Sequence, residues 1–256
     1  MDYTNIILEK EGAVAILAIN KPQSLNALST AVIREIKSAL AEVRESSDIR
    51  VLILTGKGKV FVAGSDINEM KKMGALDFRR YSEQFLEILN ALHEIPIPVI
   101  AAVNGPAFGG GNILATSCDM VIASDKAKFG QQEITVGIFG GIPHMLACMG
   151  RIKAADFLFT GRIIDAQEAK ELGIASRVVP QDSLMQEVKK LALEMAARNP
   201  TAMKLAKITL HKCAEMSIRS AIAYEMDLVS LCFDSQDARE GLAAFSEGRA
   251  AVYRGC

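Results

Sequence analysis

The sequence predicts an α/β fold, because short apolar segments alternate with amphipathic helical patterns along most of its length. Apolar runs bounded by turn residues predict buried strands at 13–19, 51–54, 99–103 and 120–123. The chain has 256 residues, of which 50% are hydrophobic and 23% charged. Such a chain can bury a large core, which excludes a disordered or low-complexity scaffold.

Between the first two strands, apolar residues follow one another at three- and four-residue spacing, which predicts a helix with one buried face. These residues are Val32, Ile33, Ile36, Leu40 and Val43. A second such helix, stopped by Pro96, carries Phe78, Tyr81, Phe85, Leu89 and Leu92. Further along, Asp165 and Glu168 resemble a capping box, and Gly173 ends that short helix.

The character of the sequence changes after Pro180, where helical patterns succeed one another without a good strand. These patterns cover 184–197, 202–213, 218–233 and 238–247. We therefore expect a core domain at 1–195 and a helical C-terminal subdomain at 196–256. No Gly/Ser-rich linker separates the two, so we expect them to pack together or onto a partner subunit.

Charge and cysteine usage narrow the functional class. The formal net charge is −1, which provides no basic surface for nucleic acid. No apolar run reaches the ~18 residues of a membrane helix, and the N-terminal sequence is not typical of a signal peptide. An odd number of cysteines without CxxC spacing predicts reduced thiols and a cytoplasmic location. The histidines have no metal-ligand spacing, so no metal site is expected.

The glycine-rich stretch at 104–112 follows a predicted strand and precedes a helical pattern. Glycines there let the backbone approach a ligand closely, with the amides of a helix N-terminus directed at negative charge. The GxGxxG fingerprint and the Walker A lysine are absent, so phosphate binding is not indicated. Two interpretations stay open for this stretch alone: a tight turn, or a site whose backbone amides stabilise a developing oxyanion.

The stretch at 60–70 follows the second strand and leads into another helix. By itself it is typical of a loop in which a serine or aspartate caps the helix. The sequence contains no GxSxG motif, so a nucleophilic serine is not expected.

Taken together, these stretches resemble the crotonase family, the enoyl-CoA hydratases and isomerases. The motifs are Ala-Gly-Ser-Asp-Ile at 63–67, Asn-Gly at 104–105, Gly-Gly-Gly at 109–111 and Phe-Gly-Gln-Gln-Glu at 129–133. Lys-Pro-Gln-Ser-Leu-Asn-Ala-Leu at 21–28 and Phe-Thr-Gly at 159–161 extend the likeness almost end to end. The resemblance implies a crotonase-like spiral of ββα turns and a helical C-terminal trimerisation region. It also implies homotrimers that often pair into hexamers.

A CoA thioester is the substrate that the resemblance implies, and coenzyme A enters only as part of it. In the family, two backbone amides hold the thioester oxygen while an enolate forms. By motif position these are the amides of Ser65 and Gly110. The family often has alanine at the position of Ser65, and the change of side chain is expected to matter little because the backbone N–H holds the oxygen. The CoA moiety is expected to follow the backbone around Ser24, Leu25, Ala63, Asp66 and Ile67, with adenine near Ala63.

The family's hydratases carry two glutamates, and this chain matches only the second, Glu133. The first is expected at Ile113, which is apolar. Taken alone, Glu133 is typical of a solvated surface residue, but within the motif we expect it to act as general base. A single base suffices to move a proton from C2 to C4 of a 3-enoyl-CoA, as the family's isomerases do. Isomerisation is therefore slightly favoured.

Hydration of a 2-enoyl-CoA stays open if Glu133 alone activates water or if another group positions it. Asn112 is a candidate for that role, although a helix cap is the more ordinary interpretation. His144 lies in a segment that departs from the family pattern, where it is either a catalytic acid or a turn and packing residue. A non-catalytic acyl-CoA-binding protein is the alternative of another class.

Overall fold

The computed structural model describes residues 3–255 and confirms the α/β class. The strands are β1 (Ile6–Glu11), β2 (Val14–Ile19), β3 (Val51–Gly56), β4 (Val99–Val103), β5 (Ala107–Phe108), β6 (Met120–Ser124), β7 (Lys128–Gly130), β8 (Ile163–Asp165) and β9 (Arg177–Val179). The α-helices are α1 (Thr30–Glu45), α2 (Ile67–Met70), α3 (Ala75–Glu94), α4 (Gly110–Thr116), α5 (Ile142–Thr160), α6 (Ala166–Glu171), α7 (Leu184–Ala196), α8 (Pro200–Cys213), α9 (Ile218–Phe233) and α10 (Gln236–Glu247). The four strands predicted from apolar runs are β2, β3, β4 and β6.

The larger sheet has six strands in the order β1-β2-β3-β4-β6-β9. β1 is antiparallel to β2, and every other neighbouring pair is parallel. The carboxyl ends of β3 and β4 therefore meet at one edge, where the stretches 60–70 and 104–112 leave the sheet. A smaller sheet in the order β5-β7-β8 is formed by strands that follow β4 in the sequence.

Both faces of the larger sheet are covered at its centre, which explains why β2, β3 and β4 are buried at every position. One face packs with α1 and α3 in the main core. On the other face, Ile16, Ile53 and Ile100 contact α7 through Val188 and Ala192. The predicted buried face of α1 is confirmed.

The short helix α6 begins as predicted but without a full capping box. The Asp165 side chain accepts a hydrogen bond from the Glu168 backbone N–H. The reciprocal bond is absent from the described hydrogen bonds, because the Glu168 carboxylate instead pairs with Arg162. Gly173, with φ of +86°, follows the helix end as expected.

The C-terminal helix α8 is fastened to the core by a buried charged cluster. The Lys207 ammonium lies 2.8 Å from the Asp119 carboxylate and donates to the carbonyls of Leu92 and Ile97. His211 lies 2.8 Å from the other Asp119 oxygen and stacks on His93, with ring centroids 4.7 Å apart. Two histidines distant in sequence thus meet, yet among the described residues no group could hold a metal ion.

The helices α9 and α10 present a wide exposed apolar surface. It includes Ile218, Met226, Val229, Leu231, Phe233, Leu242 and Phe245.

The predicted domain division at 195/196 falls at the end of α7 and stays a prediction. Residues 1–2 and 256 lie outside the described part. The thiols of Cys118, Cys148, Cys213 and Cys232 are free, while Cys256 is among the residues not described. In residues 3–255 no helix has the length and apolar character needed to cross a bilayer.

Candidate active site

A cavity of about 470 Å³ lies where the carboxyl ends of β3 and β4 release the two glycine-containing stretches. Most of the predicted site residues line it, namely Ala63, Ser65, Ile67, Gly110, Ile113 and Glu133. Ser24, Leu25 and Asp66 lie outside its lining. A larger cavity of about 750 Å³ lies among α8, α9 and α10, and none of the predicted site residues lines it. The smaller cavity is therefore the candidate active site.

Two backbone amides in this cavity have no protein acceptor within residues 3–255. One is the N–H of Ser65, and the other is that of Gly110, the first residue of α4. The two residues lie close together, because a Cβ added to Gly110 would be 3.7 Å from the Ser65 nitrogen. Two N–H donors without an acceptor, close together in a largely apolar cavity, are suited to stabilise a negatively charged oxygen.

Ser65 is held in place by the backbone of Leu28 and by a tyrosine. The Leu28 N–H donates to Gly64, and the Leu28 carbonyl accepts from the N–H of Asp66 and the hydroxyl of Tyr81. Burial raises the pKa of Tyr81 to about 12, although a hydrogen bond with Ser65 acts in the opposite direction. Tyr81 thus stays a protonated donor. The sequence showed only its place on an apolar helix face, although a buried tyrosine usually needs a polar partner.

Glu133 begins a 3₁₀ turn three residues after the end of β7, is half-buried and lines the cavity. Its Oε1 accepts a hydrogen bond of 2.8 Å from Gln131 Nε2, while its buried Oε2 has no partner among the described residues. Burial raises the pKa of Glu133, and its backbone N–H and Gln131 oppose this more weakly. A carboxylate with one oxygen held and the other free is suited to accept a proton near neutral pH.

Gly109 leaves the space that the carboxylate of Glu133 occupies. Its φ is +50°, a conformation that side chains disfavour, and a Cβ here would lie 2.8 Å from Glu133 Oε1. The conformation at Gly109 also turns the chain into α4, so that the free N–H of Gly110 follows at once. One glycine therefore sets both the amide donor and the room for the base.

Ile113 lies on α4, one turn after Gly110, and lines the cavity where the family's first glutamate is expected. Among the described residues, Glu133 is the one carboxylate in the lining. The remaining surface is mainly apolar, contributed by Met70, Phe78, Phe85, Phe108, Val136, Ile138 and Phe139. The cavity thus presents a single carboxylate in an otherwise mainly apolar lining.

The predicted cap role of Asn112 is wrong. Gly109 is the N-cap of α4, and Asn112 is inside the helix, fully buried and absent from the cavity lining. Its side chain cannot serve as a cap because its amide donates to Gln131 Oε1 at 3.0 Å and to Met145 Sδ at 3.5 Å. It does not reach the cavity as a group that would position water.

His144 also lies outside the cavity lining. Its Nε2 is 3.1 Å from the hydroxyl of Ser117, whose own proton is donated to the Ile113 carbonyl. Burial lowers the pKa of His144, so the ring is neutral near pH ~7. This geometry matches the packing alternative. The surrounding helix α5, interrupted at Gly150, has no clear apolar period in the sequence.

The stretch 21–28 lies against the stretch 57–66. The Ala63 N–H donates to the Leu25 carbonyl at 3.1 Å. Leu25 and Asn26 adopt positive φ values of 55° and 57°, and the buried Asn26 side chain donates to the carbonyl of Val60. The Asp66 side chain caps α2 instead of pointing to the cavity. Strained backbone at two non-glycine residues is typical of a ligand site.

Comparisons with known proteins identify the family. The model of the Enoyl-CoA hydratase/isomerase family matches residues 9–255. The Short-chain-enoyl-CoA hydratase of Clostridium acetobutylicum is 39% identical over 253 residues, with 97% of each chain covered. The Crotonyl-CoA hydratase of Syntrophomonas wolfei is 40% identical over 257 residues, with 99% of each covered.

Solved structures show the same fold. The enoyl-CoA hydratase from Bacillus anthracis superposes with a TM-score of 0.96 at 32% identity, covering 99% of this chain and 100% of that one. An enoyl-CoA hydratase structure from Geobacillus kaustophilus gives a TM-score of 0.94 at 36% identity over 100% of both chains. The chain is therefore a member of the enoyl-CoA hydratase/isomerase family, with the crotonase fold.

Proposed function

We propose that this protein moves the double bond of a 3-enoyl-CoA to give the 2-enoyl-CoA, with Glu133 as the single acid/base group. The observation that carries the proposal is the composition of the cavity. One carboxylate shares the lining with two backbone N–H groups that have no acceptor among the described residues, and Ile113 stands where a second glutamate is expected. Proton transfer between two carbons needs only one acid/base carboxylate, whereas the family's hydratases use two glutamates to bind the attacking water.

The reaction begins when Glu133 Oε2 removes a proton from C2 of the thioester. The electron pair of the broken C–H bond moves into the thioester, and negative charge develops on its oxygen. The N–H groups of Ser65 and Gly110 stabilise that oxygen. In enzymes with such donors, removal of one typically raises the barrier by about 2.7–4 kcal/mol. Glu133 then returns the proton to C4, where the electrons of the C3=C4 double bond form the new C–H bond. The enolate electrons form the C2=C3 double bond as the charge on the oxygen returns to the thioester carbonyl, and no other reactant is consumed.

Substrate binding follows the same geometry. We place the acyl group against Ile113 and the aromatic lining, and the CoA moiety along the backbone of Ser24, Leu25, Ala63, Asp66 and Ile67. The exposed apolar side chains of Leu25 and Ile67, 56% and 50% exposed, support an open surface there. No cofactor besides the CoA of the thioester is needed for these steps.

Addition of water to a 2-enoyl-CoA is the second candidate. The supporting observation is that the relatives from Clostridium acetobutylicum and Syntrophomonas wolfei are both named hydratases. In that case Glu133 alone would activate the water, and the same two N–H groups would hold the oxyanion.

We further propose a homotrimer, or a hexamer of two trimers, assembled through the C-terminal helices, and a cytoplasmic location. The exposed apolar surface of α9 and α10 supports the assembly, because monomeric proteins seldom expose so large an apolar surface to water. Light scattering coupled to size exclusion gives the number of copies directly.

The test of the reaction uses purified protein mixed separately with 3-enoyl-CoA and 2-enoyl-CoA in heavy water, followed by mass spectrometry. Isomerisation moves the double bond into conjugation with the thioester, which ultraviolet absorbance detects, without the mass of added water; deuterium enters C4 only where the Glu133 proton exchanges with solvent between the two transfers. Hydration instead adds the mass of one heavy-water molecule. Binding with neither change would support a non-catalytic acyl-CoA-binding protein. Glu133→Gln should abolish turnover while thioester binding persists, with the exposed Glu171→Gln as matched control. Retained turnover in Glu133→Gln would contradict the assigned base.

A further inference from the structure

Asn112, Gln131 and Glu133 form a continuous chain of hydrogen bonds behind the cavity. Asn112 Nδ2 lies 3.0 Å from Gln131 Oε1, and Gln131 Nε2 lies 2.8 Å from Glu133 Oε1. Asn112 is 0% exposed and Gln131 1% exposed, so solvent cannot replace either bond. The chain joins the middle of α4 to the group proposed as base.

The direction of every bond in this chain is fixed by the carboxylate at its end. An ionised Glu133 can only accept, so Gln131 must turn its NH₂ group forward and its oxygen backward. The group that meets that oxygen must be a donor, which Asn112 supplies. Its NH₂ also donates to Met145 Sδ, and its own oxygen is buried without a partner among the described residues. An unpartnered buried oxygen costs stability, so an apolar residue would be the easier choice for packing alone.

We propose that Asn112 is a positioning residue, which locks the amide of Gln131 and thereby holds the Glu133 carboxyl group with Oε2 facing the substrate. The inference rests on the proposed role of Glu133 as base. Its consequence is that Oε1 stays bonded to Gln131 while Oε2 takes a proton at one carbon and returns it at another. A carboxyl group free to rotate would present either oxygen and would lose alignment between the two transfers.

Without Asn112, the Gln131 oxygen loses its donor, and the carboxylate of Glu133 alone fixes the orientation of the amide. When the amide turns over, its oxygen faces Glu133 Oε1, an arrangement that disfavours the ionised carboxylate. No neighbouring charge would compensate, because burial, the residue's own N–H and Gln131 are the causes that set the pKa of Glu133. The titratable groups on the helices packed nearby, Tyr81 on α3 and His144 on α5, are not among those causes.

The test compares Asn112→Leu with wild-type enzyme by the pH dependence of kcat and of kcat/KM. We expect the acidic limb to move upward by about one pH unit and kcat to fall about tenfold, with KM nearly unchanged. Gln131→Leu should shift the limb similarly, and the double variant should add nothing, since both act on one bond. Ser117→Ala is the matched control, because Ser117 is equally buried after the same helix but outside the chain.

A second readout does not depend on turnover. NMR of protein carrying ¹³C-labelled glutamate follows the ionisation of Glu133, which the Glu133→Gln spectrum assigns. In Asn112→Leu, and in Asn112→Ser if the leucine variant does not fold, the titration should move upward by about the same amount as the kinetic limb. An unmoved titration in a folded variant, or a double variant that shifts further than Gln131→Leu, would overturn the inference. An active Glu133→Gln variant would instead overturn the proposed function.

Discussion

Replacing Gly109 by alanine places a methyl group against the carboxylate of Glu133. The added Cβ would lie 2.8 Å from Oε1 and 3.3 Å from the carboxyl carbon, closer than packed atoms tolerate. The carboxyl group must therefore move by about half an ångström or more, and Gln131 must release or follow it. The backbone suffers as well, since φ at this position is +50°.

The size of both effects follows from this geometry. A displacement of about 1 Å in a reacting group can cost about a hundredfold in rate, so we expect kcat to fall between about tenfold and a hundredfold. KM should change little, because the methyl group faces the base and not the open surface at Leu25. Backbone strain of about 1–3 kcal/mol predicts a Tm lower by about 2–10 °C.

The assay is steady-state kinetics on the accepted enoyl-CoA, with a thermal melt of the same preparation. Gly12→Ala is the control, because Gly12 has a similar φ of +59° with nothing within 4 Å of an added Cβ. It should lose stability without losing kcat. A Gly109→Ala variant that melts lower yet keeps wild-type kcat would refute the claim that the position of this carboxylate matters.

Three further outcomes are expected. Ile113→Glu restores a second carboxylate in the cavity and should raise water addition to a 2-enoyl-CoA at least about tenfold, measured by product mass; no gain contradicts the argument from the missing acid. Burial raises the pKa of Glu133 in the folded state above its value in the unfolded state. The protonated group therefore favours the folded state at low pH, and this stabilisation is lost as the pH rises through the folded-state pKa. Glu133→Gln should therefore raise Tm near pH ~7 but not near pH ~3, and an equal effect at both would contradict this. Lys207→Met breaks a buried pair with Asp119 and should cost about 3–5 kcal/mol in urea unfolding, whereas the exposed Lys204→Met on the same helix should cost under about 0.5 kcal/mol.

The elements predicted best are those whose burial is one-sided or complete. The apolar face of α1 and the continuous apolar runs of β3 and β4 reflect packing on one or both sides, so their periodicity is visible in the sequence. The strands β5, β7 and β8 have two or three residues each, too few to show a period. The long helix α5 was missed because Gly150 interrupts it and its apolar residues follow no single face.

In the site, residues that belong to local motifs could be predicted, whereas contacts between distant parts of the chain could not. Ser65, Gly110 and Glu133 could be placed together because their motifs keep a fixed order along the chain, although their roles stay predictions. The bond from Asn112 to Gln131 could not, because it joins a helix to the end of a strand 19 residues away. The contact of Lys207 with Asp119 spans still more of the chain, and nothing in either local sequence marks it.

The free N–H groups of Ser65 and Gly110 have a consequence for how this protein can be dissected. Both belong to the main chain, so every genetically encoded residue except proline supplies the same donor. An alanine scan of the cavity would therefore reveal the carboxylate and its neighbours and leave these donors unseen. Replacing the amide at position 65 by an ester, with the serine side chain retained, deletes one N–H alone. Only chemistry on the backbone can expose the part of the site that side-chain variation leaves intact.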